Sequence, residues 1–443
     1  MIKKFILILL FAACTCPGSN AQTSDSTIVK SLGELKKNVD LLNRIKISGL
    51  VQFQYQLADT AGIRSYAGGD FPGSSQDRIM VRRGRFKVNY SSGLTQYVVQ
   101  LQVTEAELNV REVYMVLTDP WKKSFSLTSG VFFRPFGYEL DYSDAIRECP
   151  ERTRLVQILF PGERDLGSML QYAPGSGPLK FLNVKAGLFA GNGVAKETDR
   201  YKDLIGRVGF NFPVISTPLT ISGGISGYYG KQLKDLTYTK DVAVSAFDTS
   251  GNLFTTQVSK KVGACTYKYN EDSGRFTKSD SAMAIGVQRN YLGADLQVSY
   301  DISKLGKLSV RGEYISGTHP GTASSSKVYS AGNGDLFLRN FSGFYVWIVQ
   351  NLGKNAQVYF KYDEYDPNTK VSGDDIGKAG SFTGAADMKY TTAGFGGAYS
   401  FNTNIKISVW YELVKNEPAP NLKGDYNRNL PDNVFTLRLQ YRF

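Results

Sequence analysis

From Ile45 to the end of the chain, side-chain character alternates with a period of two, segment after segment. VQFQYQL places Val51, Phe53, Tyr55 and Leu57 on one face and Gln52, Gln54 and Gln56 on the other, and NIKISVWYELV sets Ile405, Ile407, Val409, Tyr411 and Leu413 against Lys406, Ser408, Trp410 and Glu412. The terminal VFTLRLQYRF does the same, with Phe435, Leu437, Leu439, Tyr441 and Phe443 opposite Thr436, Arg438, Gln440 and Arg442. Successive side chains of a strand point to opposite faces of the sheet, so each segment divides an apolar environment from a polar one. A soluble protein with Gln and Arg on so many inward positions would have too little core. A barrel with a wet interior inverts that logic, turning the apolar face to lipid and the polar face to water.

About sixteen such segments can be counted, and the connections between them alternate in length. SSG, DPWKK, APGSGP, PVISTP, ISKLG, NLGKN and NTN are short, whereas those between them are mostly long, the longest spanning residues 231–284. Short turns at one end and long loops at the other are the signature of an all-β, transmembrane antiparallel β-barrel. The 45 Gly, 27 Tyr and 26 Phe beside 15 Pro suit turns and strands. After the first twenty residues no run approaches the roughly 18 apolar residues of a membrane helix. A soluble β-helix or a multi-sandwich adhesin is the alternative that alternation alone leaves open.

The segment MIKKFILILLFAACTCPGSNAQ has Lys3 and Lys4, an apolar run from Phe5 to Ala13 and small residues before Gln22, which reads as a signal peptide over residues 1–21. Lipoprotein processing at Cys14 is the rival. Cleavage would remove two lysines and no acid, lowering the formal net charge from +12 to +10. Over residues 22–44, Ile28, Leu32, Leu35, Val39 and Leu42 form a heptad-like stripe. It predicts a periplasmic amphipathic helix, either coiled with a partner or packed on the barrel rim.

Nothing in the sequence argues for catalysis. His319 is the single histidine, in a Gly/Ser-rich stretch expected to be a solvated loop, and GLFAGNG (187–193) lacks the lysine and helix of a nucleotide loop. The cations are a better lead. Parity sends Arg83, Arg85 and Lys87 inward with Arg134, Arg207, Arg289, Arg311, Lys361, Lys406, Arg438 and Arg442. Such cations in a narrow passage favour anions. The competing reading pairs them with Asp295, Glu313, Asp363 and Glu412 to stiffen the wall. The connection over residues 135–164 carries Arg147, Arg152, Arg154 and Arg164 among several acids, with an apolar cluster, LVQILF. Folding into the barrel mouth would bury that cluster; a flap on the outer surface is the alternative. Cys149 and Cys265, in connections on the outer side, are candidates for a disulfide.

RIMVRRGRFKV, GVFFRPFGYE, Glu151–Arg152, FPGERDLG, GLFAGNG, RNYLGADLQV, RGEYISG and the terminal aromatic strand, in that order, make the chain resemble the phosphate-selective porins O and P. The resemblance implies a trimeric, 16-stranded barrel in the outer membrane of a Gram-negative bacterium, its third loop folded inward. Arg83 and Arg85 match the arginine-bearing second strand and Arg134 the start of the constriction loop, but the family's central lysines have no match. The expectation is a porin passing small hydrophilic solutes, with preference for anions such as phosphate. Its expected pore-lining residues are Arg83, Arg85, Lys87, Arg134, Arg152, Arg154, Arg164, Arg311 and Arg438. Expected partners are outer-membrane lipid, a homotrimer and the barrel-assembly machinery, with no cofactor, metal or nucleic acid. A barrel-anchored surface binding or adhesion protein acting through long loops is the second hypothesis.

Overall fold

The computed structural model describes residues 22–443 apart from 196, 198–199, 214–217, 234–235, 248–252, 271–274, 280–285, 323–324, 328–336 and 382, and describes no side chains at 213 or over 22–28 or 232–286. The expected leader, residues 1–21, lies outside the described residues. Helix α1 (Gln22–Asn43) leads into the first strand. Leu32, Leu35, Val39 and Leu42 of its stripe are all exposed, so the stripe is not packed on the rim.

The first nine strands are β1 (Ile45–Ala58), β2 (Asp77–Ser92), β3 (Thr95–Val103), β4 (Leu108–Thr118), β5 (Phe125–Phe133), β6 (Arg164–Tyr172), β7 (Leu182–Phe189), β8 (Asp203–Pro213) and β9 (Leu219–Leu233). Three more, β10 (Leu236–Phe247), β11 (Leu253–Asn270) and β12 (Arg275–Ser279), lie in the longest connection. The wall resumes with β13 (Gly286–Ile302), β14 (Gly306–Gly321), β15 (Phe337–Leu352), β16 (Ala356–Asp366), β17 (Tyr390–Ser400), β18 (Ile405–Asn416) and β19 (Val434–Arg442). Because β9 pairs directly with β13 and β1 pairs with both β2 and β19, sixteen strands close an antiparallel ring. The strands β10–β12 form an extension from it, pairing β10 with β11 and β11 with β12 and meeting the wall strand β15 at Arg275↔Phe337. Closure leaves no open edge to satisfy.

The closing seam runs from Leu50↔Arg442 to Ala58↔Val434. Beyond it, Gly49 N–H donates to the Phe443 carbonyl at 2.9 Å and Phe443 N–H to the Gly49 carbonyl at 3.1 Å. The Phe443 ring covers Gly49 so closely that a Cβ there would lie 2.2 Å from Cζ. Any side chain at position 49 would have to displace that terminal ring.

Burial runs opposite to that of a soluble protein. Gln52, Gln54 and Gln56 are at most 2% exposed, while Val51, Phe53 and Leu57 on the other face are 39–43% exposed. On β19, Thr436, Arg438 and Gln440 are buried and Leu437, Leu439 and Tyr441 exposed. An outward apolar wall on a closed ring of paired strands is stable in a bilayer, where every backbone group must be satisfied within the protein. The chain is therefore an outer-membrane barrel.

One expectation is corrected here. His319 is not in a solvated loop: β14 and β15 stay paired out to Gly321↔Phe337, carrying the wall past it. The ring is buried between the Tyr291 hydroxyl (2.5 Å) and the Ser326 carbonyl (2.7 Å).

Candidate functional site: a constriction inside the barrel

The loop between β5 and β6 folds into the lumen and is held there by both an apolar and a charged side. At its start Gly137 adopts φ 61°, where its N–H reaches Ser226 Oγ at 2.9 Å. The next two amides, of Tyr138 and Glu139, donate to Glu313 Oε2 at 3.2 Å each. Glu139 accepts from Thr153 through both N–H (2.8 Å) and hydroxyl (2.5 Å), and Thr153 Oγ1 accepts from Val156 N–H as the N-cap of helix α2 (Arg154–Leu159). The cluster read as LVQILF is thus a capped helical turn followed by Phe160. Leu155, Val156, Ile158, Leu159 and Phe160 are buried against residues such as Phe189, Tyr228, Tyr291 and Phe341 on the far half of the wall.

The opposite side of the loop presents carboxylates to the near half. Glu151 accepts from Arg82 (2.9 and 3.0 Å), Arg83 (3.1 and 2.6 Å) and Arg438 (2.8 Å). Asp144 pairs with Arg85 and Arg147, with Arg152 at 2.9 Å and with Arg83 at 3.8 Å. Glu163 holds Arg111 (2.6 Å), Arg152 (3.0 Å) and Arg164 (2.7 Å), and the wall residue Glu112 takes Arg164 and Lys87 at 2.9 Å each. Nine cations therefore converge on four carboxylates.

Burial by itself would raise the loop carboxyls, but the guanidinium groups win. Arg147, Arg85, Arg152 and Arg83 hold Asp144 well below the usual carboxylate range, and Arg82, Arg83 and Arg438 do the same for Glu151. Glu163 is likewise lowered, by Arg152, Arg164 and Arg111. All three stay ionised at neutral pH.

Six of the expected residues, Arg83, Arg85, Lys87, Arg152, Arg164 and Arg438, meet in this network. Three do not. Arg134 is fully buried at the foot of the loop with Nε 3.1 Å from Asp165, away from any open passage. Arg311 forms a separate pair with Glu148 (3.0 and 3.1 Å) and also donates to the Tyr142 hydroxyl. Arg154 lies on the outer side of α2, between the rings of Tyr66 and Tyr390. Of the wall pairs read from parity, Arg207–Asp295 and Lys361–Asp363 (3.4 Å) form, whereas Arg83, Arg85, Arg311 and Arg438 are compensated by the loop instead.

Arg82 and Arg111 are the members that parity misses. The β1–β2 register slips between Gln52↔Arg83 and Phe53↔Val81, leaving Arg82 as a bulge residue; the β3–β4 register slips between Gln100↔Glu112 and Leu101↔Val110, leaving Arg111. A bulge places two residues opposite one and re-aims the extra side chain. Both guanidinium groups consequently join neighbours of the opposite parity on the lumen side. They are also better exposed, at 25% and 17%, than Arg83 at 5% or Arg164 at 1%.

The expected disulfide is corrected. Cys149 is a free, buried thiol in the in-folded loop, its Sγ 3.4 Å from the Glu151 carbonyl, and burial pushes its pKa up to about 12. The side chain of Cys265, on β11, lies outside the described residues.

No family model and no curated protein matches the chain. Among solved structures it is similar to OprB of Pseudomonas putida (TM-score 0.53, 9% identity, 92% of this chain and 96% of that one). It is also similar to in-vitro folded OmpT of Vibrio cholerae in trimer form (0.50, 13%, 90% and 99%) and to Salmonella typhi OmpF in complex with daunomycin (0.50, 13%, 90% and 97%). At these identities the likeness is one of fold, that of porin-type outer-membrane barrels, and the likeness to porins O and P rests on the sequence motifs alone.

Proposed function

We propose that the protein is a passive outer-membrane porin for small hydrophilic solutes, with preference for anions. The observation that carries this reading is the excess of cations over carboxylates where the loop narrows the lumen, nine against four. In a low-dielectric wall such an excess focuses the field and concentrates anions in the passage. Among the expected residues, Lys87 is the one that keeps substantial exposure, at 31%. With Arg82 and Arg111 it is the group best placed to meet a solute, while Arg83, Arg85, Arg152, Arg164 and Arg438 hold the loop. Phosphate belongs to the class of anions admitted; the buried arginines already spend their forks on carboxylates, which supports charge preference more than a dedicated phosphate cage. A homotrimer in outer-membrane lipid, delivered by the barrel-assembly machinery after removal of residues 1–21, completes the reading, and V. cholerae OmpT in trimer form offers a parallel.

Reversal potentials across a planar bilayer under a salt gradient test it. An anion-positive permeability ratio is expected; a cation preference would remove the selectivity claim, and absence of conductance would remove the channel. The second hypothesis, a barrel that anchors a binding surface, draws on β10–β12, which stand outside the closed ring. Deleting residues 234–283 distinguishes the two: a porin keeps its conductance, whereas an adhesin keeps conductance and loses capture of its ligand by whole cells.

A further inference from the structure

On the outer side of the constriction lies a second feature that anion screening in the passage does not use. A cavity of about 850 Å³ is framed by Tyr66 of the β1–β2 connection, Arg154 of α2, Lys327, Tyr390 and Asp432 just before β19. Its size falls within the range of small-molecule sites.

Two of its buried groups are unpartnered among the described residues. Arg154 is only 9% exposed, yet its side chain makes no hydrogen bond or ion pair, and its Nε is fully buried without an acceptor. Its guanidinium is instead clamped between aromatic faces, 4.5 Å from the Tyr66 centroid and 3.8 Å from that of Tyr390. Asp432 is 7% exposed and its Oδ1 is buried with no donor. Although Arg154 is a nearby charge, the two do not approach to ion-pair distance. The other acids of the cavity are already engaged: Asp425 pairs with Arg428 at 3.2 Å, and Asp70 Oδ1 accepts from Ser65 N–H at 3.0 Å. Lys327 adds a second cation, 4.4 Å over the face of Tyr66.

Buried donors and acceptors in native structures are nearly always paired, by protein, water or ligand. A cation held rigidly between tyrosine rings, with an unsatisfied acceptor across the gap, is complementary to a molecule that has an anionic group, hydroxyls and a flat apolar ring face. We propose that the outer vestibule is a docking site for a sugar bearing one carboxylate, with the carboxylate on Arg154 and Lys327, the ring against tyrosine and a hydroxyl donating to Asp432. The proposal rests on the porin reading in one respect: the docked solute is one waiting to pass.

The test is calorimetric titration of glucuronate into the detergent-solubilised full-length protein, with glucose and acetate as the two half-ligands, alongside single-channel recording with glucuronate added on the outer side. Glucuronate is expected to bind saturably and at least tenfold more tightly than either half-ligand, and to interrupt the current transiently. Arg154→Gln should weaken glucuronate by tenfold or more and Asp432→Asn by a smaller factor. Tyr66→Leu, which keeps both cations but removes one wall of the clamp, should weaken glucuronate by a larger factor than acetate, and so covers the case in which Arg154→Gln displaces α2. Glucuronate binding no tighter than acetate, or undiminished in both Arg154→Gln and Tyr66→Leu, overturns the site. Conductance without glucuronate binding defeats the site alone; glucuronate binding without conductance defeats the porin reading and retains the site.

Discussion

Glu151→Gln separates the two jobs of the constriction, holding the loop and setting the charge of the passage. The carboxylate is 4% exposed and accepts five hydrogen bonds from Arg82, Arg83 and Arg438. Removing one partner of a buried ion pair costs about 3–5 kcal/mol, because the remaining charge is left uncompensated. Against that, five apolar side chains from Leu155 to Phe160 anchor the loop to the far wall. At about 1.5–3 kcal/mol each they supply roughly 8–15 kcal/mol, so the loop stays docked. What changes is the field. One unit charge at 4 Å in a water-like medium is worth about 1 kcal/mol, or roughly a fivefold change in the permeability of a monovalent ion. The expected outcome in bilayer recordings is a near-unchanged single-channel conductance and a several-fold increase in the anion-to-cation ratio from the reversal potential. An unchanged ratio would refute the electrostatic argument, and a large, noisy conductance would refute the apolar anchoring.

Four further outcomes can be checked. Arg82→Gln and Arg111→Gln should each lower the anion-to-cation ratio, whereas Arg134→Gln should leave it intact and reduce thermal stability, by about 3–5 kcal/mol, as followed by heat-modified mobility. Gly137→Ala should give larger, fluctuating current levels, because at φ 61° a Cβ would lie 1.8 Å from Glu313 Oε1, and a shift of either the loop or that carboxylate loosens the Tyr138 and Glu139 amides from Glu313. Cys149 should resist maleimide in the folded protein and react after denaturation, as read by mass spectrometry of its peptide. Burial pushes the Asp432 carboxyl up to about 6, Arg154 opposing and Glu412 and Asp59 reinforcing. A raised carboxyl is neutral below its folded pKa, so the stability it contributes is full at low pH and is lost as pH rises through about 6. By the same sign, anion preference should grow between about pH 8 and about pH 5, and Asp432→Asn should flatten that change; an equal slope in the variant would count against Asp432 as its source.

The wall was legible because lipid and water impose opposite demands on alternate residues. Gln52, Gln54 and Gln56 read as lumen-facing from the sequence and are buried there, and the sixteen wall strands follow the sixteen alternating segments closely. The burial of LVQILF was also readable, since an apolar cluster of that kind has to be covered. The bulges were not. In the run Arg82–Arg83, parity gives one lumen residue, and only the slip in register brings both inside. Nor does sequence tell which acid meets which arginine: Glu151 joins β2 to β19, strands from opposite ends of the chain. His319 was misplaced because a Gly/Ser-rich stretch looks like a turn, whereas paired strands continue through it.

The Glu151 contacts also order the events of assembly. Arg83 lies on the second strand and Arg438 on the last, so the carboxylate can be held from both sides only after β1 and β19 have met. Contacts so distant along the chain form late, once loop-closure entropy has been overcome. The Arg438 contact is thus the final piece of the network set in place. An unclosed intermediate lacks the Arg438 half of that arrangement, so on the proposed porin reading charge selectivity would itself report completed closure.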